Sequence, residues 1–443
     1  MSSPLQITLG LLASITLLII WPRFFKINSF FALLFASILY ALIVGLPVKD
    51  TLNSMQSGFG SLLQQIGLLV ALGSVLGTLL EKTGAMESIS TGMLRLFGSH
   101  RSLLAMSTIG TVVGIPVFCD SGFIILSKLV PSLAAKTTAS ASSLSLGLSS
   151  GLYAAHTLVP PTPGPLAAAG NLGISQSIGV VMILGMVILV PVVMVSYFAS
   201  RRLGLMIPNS LEASSATVAR HIPFFKSLLP LALPILLIAC GTLFDLWLPN
   251  SWFASVFAIM GLPTVALMLG VLLALTLVDR TKDKDWPEWV NRALLGAGLI
   301  LLITGAGGAF GSVIKASGVA NVIESFVQSS QASGTLFLLV AFAIAAVLKT
   351  AQGSSTSSII ITSSLLAPIA TLAGIESTVD HALLVMAIGG GAMTVSHAND
   401  SYFWVVSQFG GIAPRHMYRS YTLLTFVQGA TVLISAILLK WLL

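Results

Sequence analysis

The chain has 443 residues, 56% of them hydrophobic and only 8% charged, with a mean hydropathy of +0.99; an ordinary soluble domain carries about 25% charged residues. That balance excludes a soluble globular protein and predicts an all-α polytopic membrane protein. The formal net charge of +7 does not point to nucleic acid: the basic residues fall in short loops between apolar runs, where they set orientation, and no basic stripe with interleaved aromatics occurs.

The first apolar run, up to Trp21, lacks the basic start and small-residue cleavage pattern of a removable signal, so it reads as a retained span. Arg23 and Lys26 follow it, which places that end in the cytoplasm and the N-terminus outside. Further spans are expected at about Ser29 to Leu46 and Gly60 to Leu80, then a short interfacial helix within Glu81 to Arg101. From Leu103 a short apolar arm leads to the polar cluster Cys119-Asp120-Ser121-Gly122, and a second arm runs to Ala135. The same form recurs at GTLFLLVAFAIAAVL from Gly334, the polar run KTAQGSSTSS from Lys349 to Ser358, and IIITSSLLAPIATLA from Ile359. An arm of about fifteen residues is short of the roughly 20 that cross a bilayer, so each unit reads as a re-entrant hairpin. Its tip can leave helical geometry only where protein or a water-filled cavity surrounds it. Cys119 and Cys240 are the only cysteines; no disulfide framework follows, and both read as packing residues.

Each hairpin is followed by an apolar segment with a break. In the first, prolines at 160, 161, 163 and 165 cannot continue a helix. In the second, glycines lead into Ser396-His397-Ala398-Asn399-Asp400. Full spans at about Ser177 to Phe198 and Tyr421 to Leu443 close the two halves. Gly77 and Gly311, Gly84 and Gly318, and Ile89 and Ile323 are each 234 positions apart (311 − 77), and the same offset carries Asp120 and Ser121 onto Ser354 and Ser355. His156 and His397 differ by 241, so the second half is expected to have gained about seven residues. The pattern predicts two inverted repeats of about five spans each, 1–200 and 227–443, joined by a cytoplasmic linker at 201–226 that carries Arg201, Arg202, Arg220 and Lys226. An odd number of crossings per half inverts the second half. Arg415, His416, Arg419 and the loop after Val278 then fall inside, and the aromatic loop from Trp247 and both termini fall outside.

Inverted repeats with discontinuous helices meeting at the midplane characterise secondary transporters, and no nucleotide-binding fingerprint occurs. The polar residues at membrane depth fall at the four breaks, and an intramembrane acid there is a functional candidate, since charging it costs at least about 3 kcal/mol. Helix ends and hydroxyls aimed at the tips suit a small hydroxylated carboxylate. Backbone N–H groups with Ser354, Ser355 and Thr356 suit its carboxylate, and Gln352, Asn399 and Thr162 its hydroxyls. Ser121, His156, Thr157 and His397 complete the expected substrate site. Lys349 either snorkels from a helix end or contacts substrate. For proton coupling the candidates are Asp120, His156 and Asp400. The histidines serve equally as neutral partners holding the broken helices, and Asp400 as the cap of a helix near Phe403. Coupling to sodium through unwound carbonyls and Asn399 is a second reading. A membrane-embedded metal-dependent enzyme is the alternative of another class, disfavoured because no metal-ligand spacing occurs. No cofactor or metal is expected.

The motifs GIPVFCDSGFIIL from Gly114, PPTPGP from Pro160, AQGSSTSS from Ala351 and SHANDSYFW from Ser396, in this order, resemble those of the gluconate permease (GntP) family. The resemblance implies inner-membrane symport of protons with gluconate or a related acid such as idonate, fructuronate, glycerate or D-serine. It also implies a homodimer and kinship with ion-transporter folds built from inverted repeats. Many relatives have His where this chain has Thr162, and bulkier apolar residues where it has Cys119 and Ser121-Gly122, which implies a more polar pocket with one titratable ring fewer.

Overall fold

A computed structural model describes residues 4–98, 101–207, 222–247, 252–318, 334–398 and 400–443. The expected placements of Arg220, of the aromatic loop around Pro249, of Ile323 and of Asn399 lie outside these residues. Every regular element among the described residues is helical. In chain order they are α1 (Pro4–Phe24), α2 (Ser29–Val44), α3 (Val48–Lys82), α4 (Ala85–Phe97), α5 (Ser102–Gly114), α6 (Cys119–Leu126), α7 (Val130–Lys136), α8 (Ala141–Leu158), α9 (Pro163–Asn171) and α10 (Ile178–Leu205). The second series is α11 (Phe224–Trp247), α12 (Trp252–Met260), α13 (Pro263–Leu275), α14 (Trp286–Ala316), α15 (Gly334–Gln352), α16 (Ser355–Leu366), α17 (Thr378–Met393), α18 (Ser401–Phe409), α19 (Pro414–Met417) and α20 (Tyr421–Leu442). Of the described residues, six helices are long and apolar enough to cross a membrane: α3, α10, α11, α14, α15 and α20.

Both breaks fall where the sequence places them, and local chemistry explains their edges. α8 ends at Leu158, and the chain resumes helix at Pro163. Prolines are tolerated in the first turn of a helix, where the N–H has no intrahelical partner; the cluster that stops α8 therefore also starts α9. α17 ends at Met393, and α18 starts at Ser401 with Asp400 as its N-cap.

Three expectations are corrected. α3 extends to 35 residues, far longer than the expected third span, because Lys49, Asp50, Asn53 and Gln56 are exposed on its surface and continue the helix. α15 runs 19 residues, through Lys349, Thr350 and Gln352, so this arm is long enough to cross, and the tip shrinks to Gly353 and Ser354. Lys and Gln favour helix, and the helix yields only where Gly353 takes a left-handed φ of 78°, a common way to end one. Finally, the helix bounds do not pair His156 with His397. α9 and α18 start 238 positions apart (401 − 163) and end 238 apart, which sets Thr162 and Asp400, not the histidines, in equivalent N-cap places. His156 lies in the last turn of α8, whereas His397 lies in the break after α17. Two other helix ends keep the offset of 234: α2 and α13 begin at Ser29 and Pro263, and α3 and α14 end at Lys82 and Ala316.

The broken helices form the centre of the packing. All residues of α8 are buried, and so is α9 from Pro163 to Gly170, as expected of a helix surrounded by protein on every side. α8 carries Gly147 and Gly151, and α5 carries Gly110 and Gly114; a methyl built on Gly151 would sit 2.1 Å from the Ser107 carbonyl oxygen, and one on Gly110 2.4 Å from that of Leu148. Such small-residue spacing lets membrane helices approach backbone to backbone. The arms of the second hairpin are tied by Ser358 Oγ donating to the Ala345 carbonyl at 2.6 Å. The second arm of each hairpin also packs on the far segment of the other break: α16 on α9, and α6 on α18.

Candidate substrate site at the meeting of the breaks

This crossed packing brings side chains from both series into one buried cluster. Lys349, in the last turn of α15, is only 1% exposed. Its Nζ donates to Asp400 Oδ2 at 2.6 Å and to the Gly353 carbonyl at 3.0 Å, and lies 5.7 Å from the centre of the Tyr153 ring. Asp400 accepts from the Tyr402 N–H on Oδ1 at 3.0 Å and from Ser396 Oγ on Oδ2. One carboxylate thus caps α18 and neutralises the lysine that ends α15. Lys349 is buried in an ion pair rather than snorkelling to a surface, and Asp400 caps α18 as its position allowed. A charge-assisted bond of this kind is strong, and removing either partner leaves the other charge uncompensated in the interior.

Around this pair the expected residues divide into three groups. Ser355 bonds the Tyr153 hydroxyl at 2.7 Å, which joins the second hairpin tip to α8. Asp120, in the first turn of α6, lies within electrostatic reach of both Asp400 and Lys349, and its buried Oδ1 has no hydrogen-bond partner among the described residues. His156, in reach of Lys349, likewise has a buried Nδ1 without a partner. Its ring centre lies 5.7 Å from that of Phe118. These residues come together.

A second group is engaged locally. Ser354 caps α16 by accepting from the Ser357 N–H at 3.2 Å. The hydroxyls of Thr157 and Thr162 bond back to the carbonyls of Tyr153 and Val159, at 3.0 and 2.6 Å, a habit of Ser and Thr near helix ends. His397 Nε2 pairs with the Thr350 carbonyl at 3.1 Å, and Ser121 and Thr356 are half-buried.

Gln352 stands apart from both. Its Nε2 donates to the Leu18 carbonyl of α1 at 2.8 Å, directed away from the cluster.

Sequence reasoning missed Tyr153 and Tyr402. The Tyr402 hydroxyl donates to the Ser149 carbonyl at 3.2 Å, and its ring lies 5.4 Å from that of Tyr153 and 6.1 Å from that of Phe123. A tyrosine inside the Ser- and Gly-rich run of α8 was the available signal, since a buried phenol needs a partner. Beside His156 the void bounded by Ser74, Pro161 and Thr162 is only about 10 Å³, room for about one water; the cluster is closed in this conformation.

The comparisons with known proteins agree with this architecture. Residues 6–442 match the GntP family permease pattern. The chain is 31% identical to a gluconate permease of Pseudomonas aeruginosa, over 99% of both chains. It is 28% identical to the Gnt-II system L-idonate transporter of Escherichia coli, over 93% of this chain and 94% of that one. Among solved structures, the Alcanivorax borkumensis YdaH transporter superposes with a TM-score of 0.63 at 15% identity, covering 90% of each chain, which establishes the likeness of fold. The alternative of a membrane-embedded enzyme is thereby displaced: the chain is a multi-pass membrane transporter and belongs to the GntP family of permeases.

Proposed function

We propose that this permease imports a small hydroxylated carboxylate, gluconate or a related sugar acid, glycerate or D-serine, across the bacterial inner membrane by proton symport. The observation that carries the reading is the buried cluster in which one ammonium, Lys349, lies in reach of two carboxylates, Asp400 and Asp120, one of them with an unpartnered oxygen. With Asp120 ionised the cluster has a surplus negative charge and repels an incoming carboxylate. With Asp120 protonated the cluster is neutral, and an anion is admitted. Proton and substrate therefore bind together, which is the requirement of symport. The hydroxyls of Ser355 and Thr356 with Tyr153 receive the carboxylate near Lys349. Ser121, Ser354, Thr157, Thr162 and His397 line the route for its hydroxyls once the broken helices separate. His156, with its free Nδ1, offers a second proton position. The repeat reading supports two inverted halves, 1–200 and 227–443, with both termini outside, and the resemblance supports a homodimer.

Counterflow uptake of labelled gluconate into sodium-free proteoliposomes, competed in turn by glycerate, D-serine, idonate and fructuronate, tests the reading. Saturable exchange blocked by one of these acids is expected. Exchange that requires sodium, or no exchange with any of them, overturns it.

A further inference from the structure

A second polar region lies outside the cluster. Between α3, α9, α14 and α16 there is a cavity of about 330 Å³, lined among others by Gln65, Asn171, Ser312, Lys315, Ser364 and Thr371. Ligand pockets run from about 300 to 1,000 Å³, so the space suits a small molecule. Its lining of amides, hydroxyls and one ammonium is unusual for a chain in which only 8% of residues are charged. Lys315 is exposed, in the last turn of α14, and has no ion-pair partner among the described residues, unlike Lys349 with Asp400 or Lys440 with Asp380.

The cavity is joined to the cluster by two helices. α9 begins at the first break, just after Thr162, and ends at Asn171; α16 begins at the second hairpin tip and reaches the cavity at Ser364. Each covers about 13 Å at 1.5 Å per residue. The two are bonded at the cavity end, where Asn171 Nδ2 donates to Ser363 Oγ and Ser364 Oγ at 2.8 and 2.9 Å. In the proposed topology α14 ends on the external side, so the cavity opens outward. The residue 234 positions before Lys315 is Glu81, which gives the two ends of the repeat opposite charges at equivalent places.

We infer that this cavity is an outer docking site for an organic carboxylate, with Lys315 supplying its charge, from which the substrate passes along α9 and α16 to the cluster. The inference rests on the function proposed above for the identity of the acid, though not for its charge.

Two measurements test it. The first is initial-rate uptake of labelled gluconate by intact cells. Lys315→Gln is expected to raise KM about fivefold, the factor given by one unit-charge pair at contact distance in water. It should leave the maximal rate nearly unchanged and weaken the dependence of KM on salt. Lys315→Arg should restore both, and Lys315→Glu should raise KM further. KM and its salt dependence unchanged in Lys315→Gln and Lys315→Glu overturn the inference.

The second is independent of substrate identity. Ser312→Cys in a Cys240→Ala background, with buried Cys119 retained, is treated on intact cells with membrane-impermeant methanethiosulfonates bearing a sulfonate or a trimethylammonium group. Relative to their rates with a free thiol, the sulfonate reagent should be favoured, and that preference should fall about 25-fold on adding Lys315→Gln, because the lost charge attracts one reagent and repels the other by about fivefold each. No modification from outside, or a preference unaffected by Lys315→Gln, overturns the docking site. If wild-type cells take up no gluconate while the charge preference holds, the substrate assignment fails and the docking site stands.

Discussion

Replacing Asp400 by Asn separates its two roles. The amide oxygen of Asn accepts the Tyr402 N–H as well as the carboxylate does, since Asn and Asp are equivalent N-caps, so the start of α18 is retained. The negative charge is lost, and the Lys349 ammonium, 1% exposed, is left with the neutral Gly353 carbonyl as its acceptor. Breaking a buried pair in this way costs about 3–5 kcal/mol. At about 2 °C per kcal/mol, the lower end of the range for larger domains, Asp400→Asn should melt about 6–10 °C below wild type. Lys349→Met should cost less, because the remaining carboxylate still accepts from Ser396 and from the Tyr402 N–H. The double variant should recover part of the loss, with an interaction of about 2–3 kcal/mol, the upper end for residues in contact. The assay is the fraction of detergent-solubilised protein that remains monodisperse on size exclusion after heating. An Asp400→Asn midpoint within about 1 °C of wild type, or single effects that simply add, refutes the reasoning that Lys349 depends on this partner.

Two further predictions concern the packing around the cluster. Ser355→Ala leaves the Tyr153 hydroxyl buried without its partner and should cost about 1–3 kcal/mol, whereas Tyr153→Phe with Ser355→Ala should lie closer to wild type, because an unmet polar group costs more than an absent pair; equal losses in the two variants count against the bond. Gly151→Ala places a methyl 2.1 Å from the Ser107 carbonyl and should lower stability by about 1–3 kcal/mol through overpacking, read as folded yield and melting midpoint, while an unchanged midpoint argues against the close approach of α5 and α8.

What could be read in the sequence follows from local causes. The proline cluster at 160–165 and the glycines before Ser396 announce their breaks because backbone chemistry alone ends those helices. The polar run from Lys349 to Ser358 is wider than the tip, because polarity is not irregularity: Thr350 and Gln352 are compatible with helix, and only Gly353, with its left-handed φ, leaves it. Asp120 and His156 stand out in the sequence because titratable groups in an apolar run are conspicuous. The Lys349–Asp400 pair does not, since its partners stand 51 positions apart and their meeting depends on how the second hairpin lies against the second break. The cavity between α3, α9, α14 and α16 is hidden for the same reason. Gln65, Asn171 and Lys315 come from three helices and share no local pattern.

The central claim is that Asp120 admits the carboxylate only when protonated. Accumulation of labelled gluconate in proteoliposomes under an imposed inward proton gradient, for wild type and Asp120→Asn, with counterflow exchange measured on the same vesicles, tests it most directly. The account predicts that wild type accumulates the acid and loses accumulation with a protonophore, whereas Asp120→Asn, held neutral, exchanges without concentrating it. Gradient-driven accumulation by Asp120→Asn equal to wild type would contradict it.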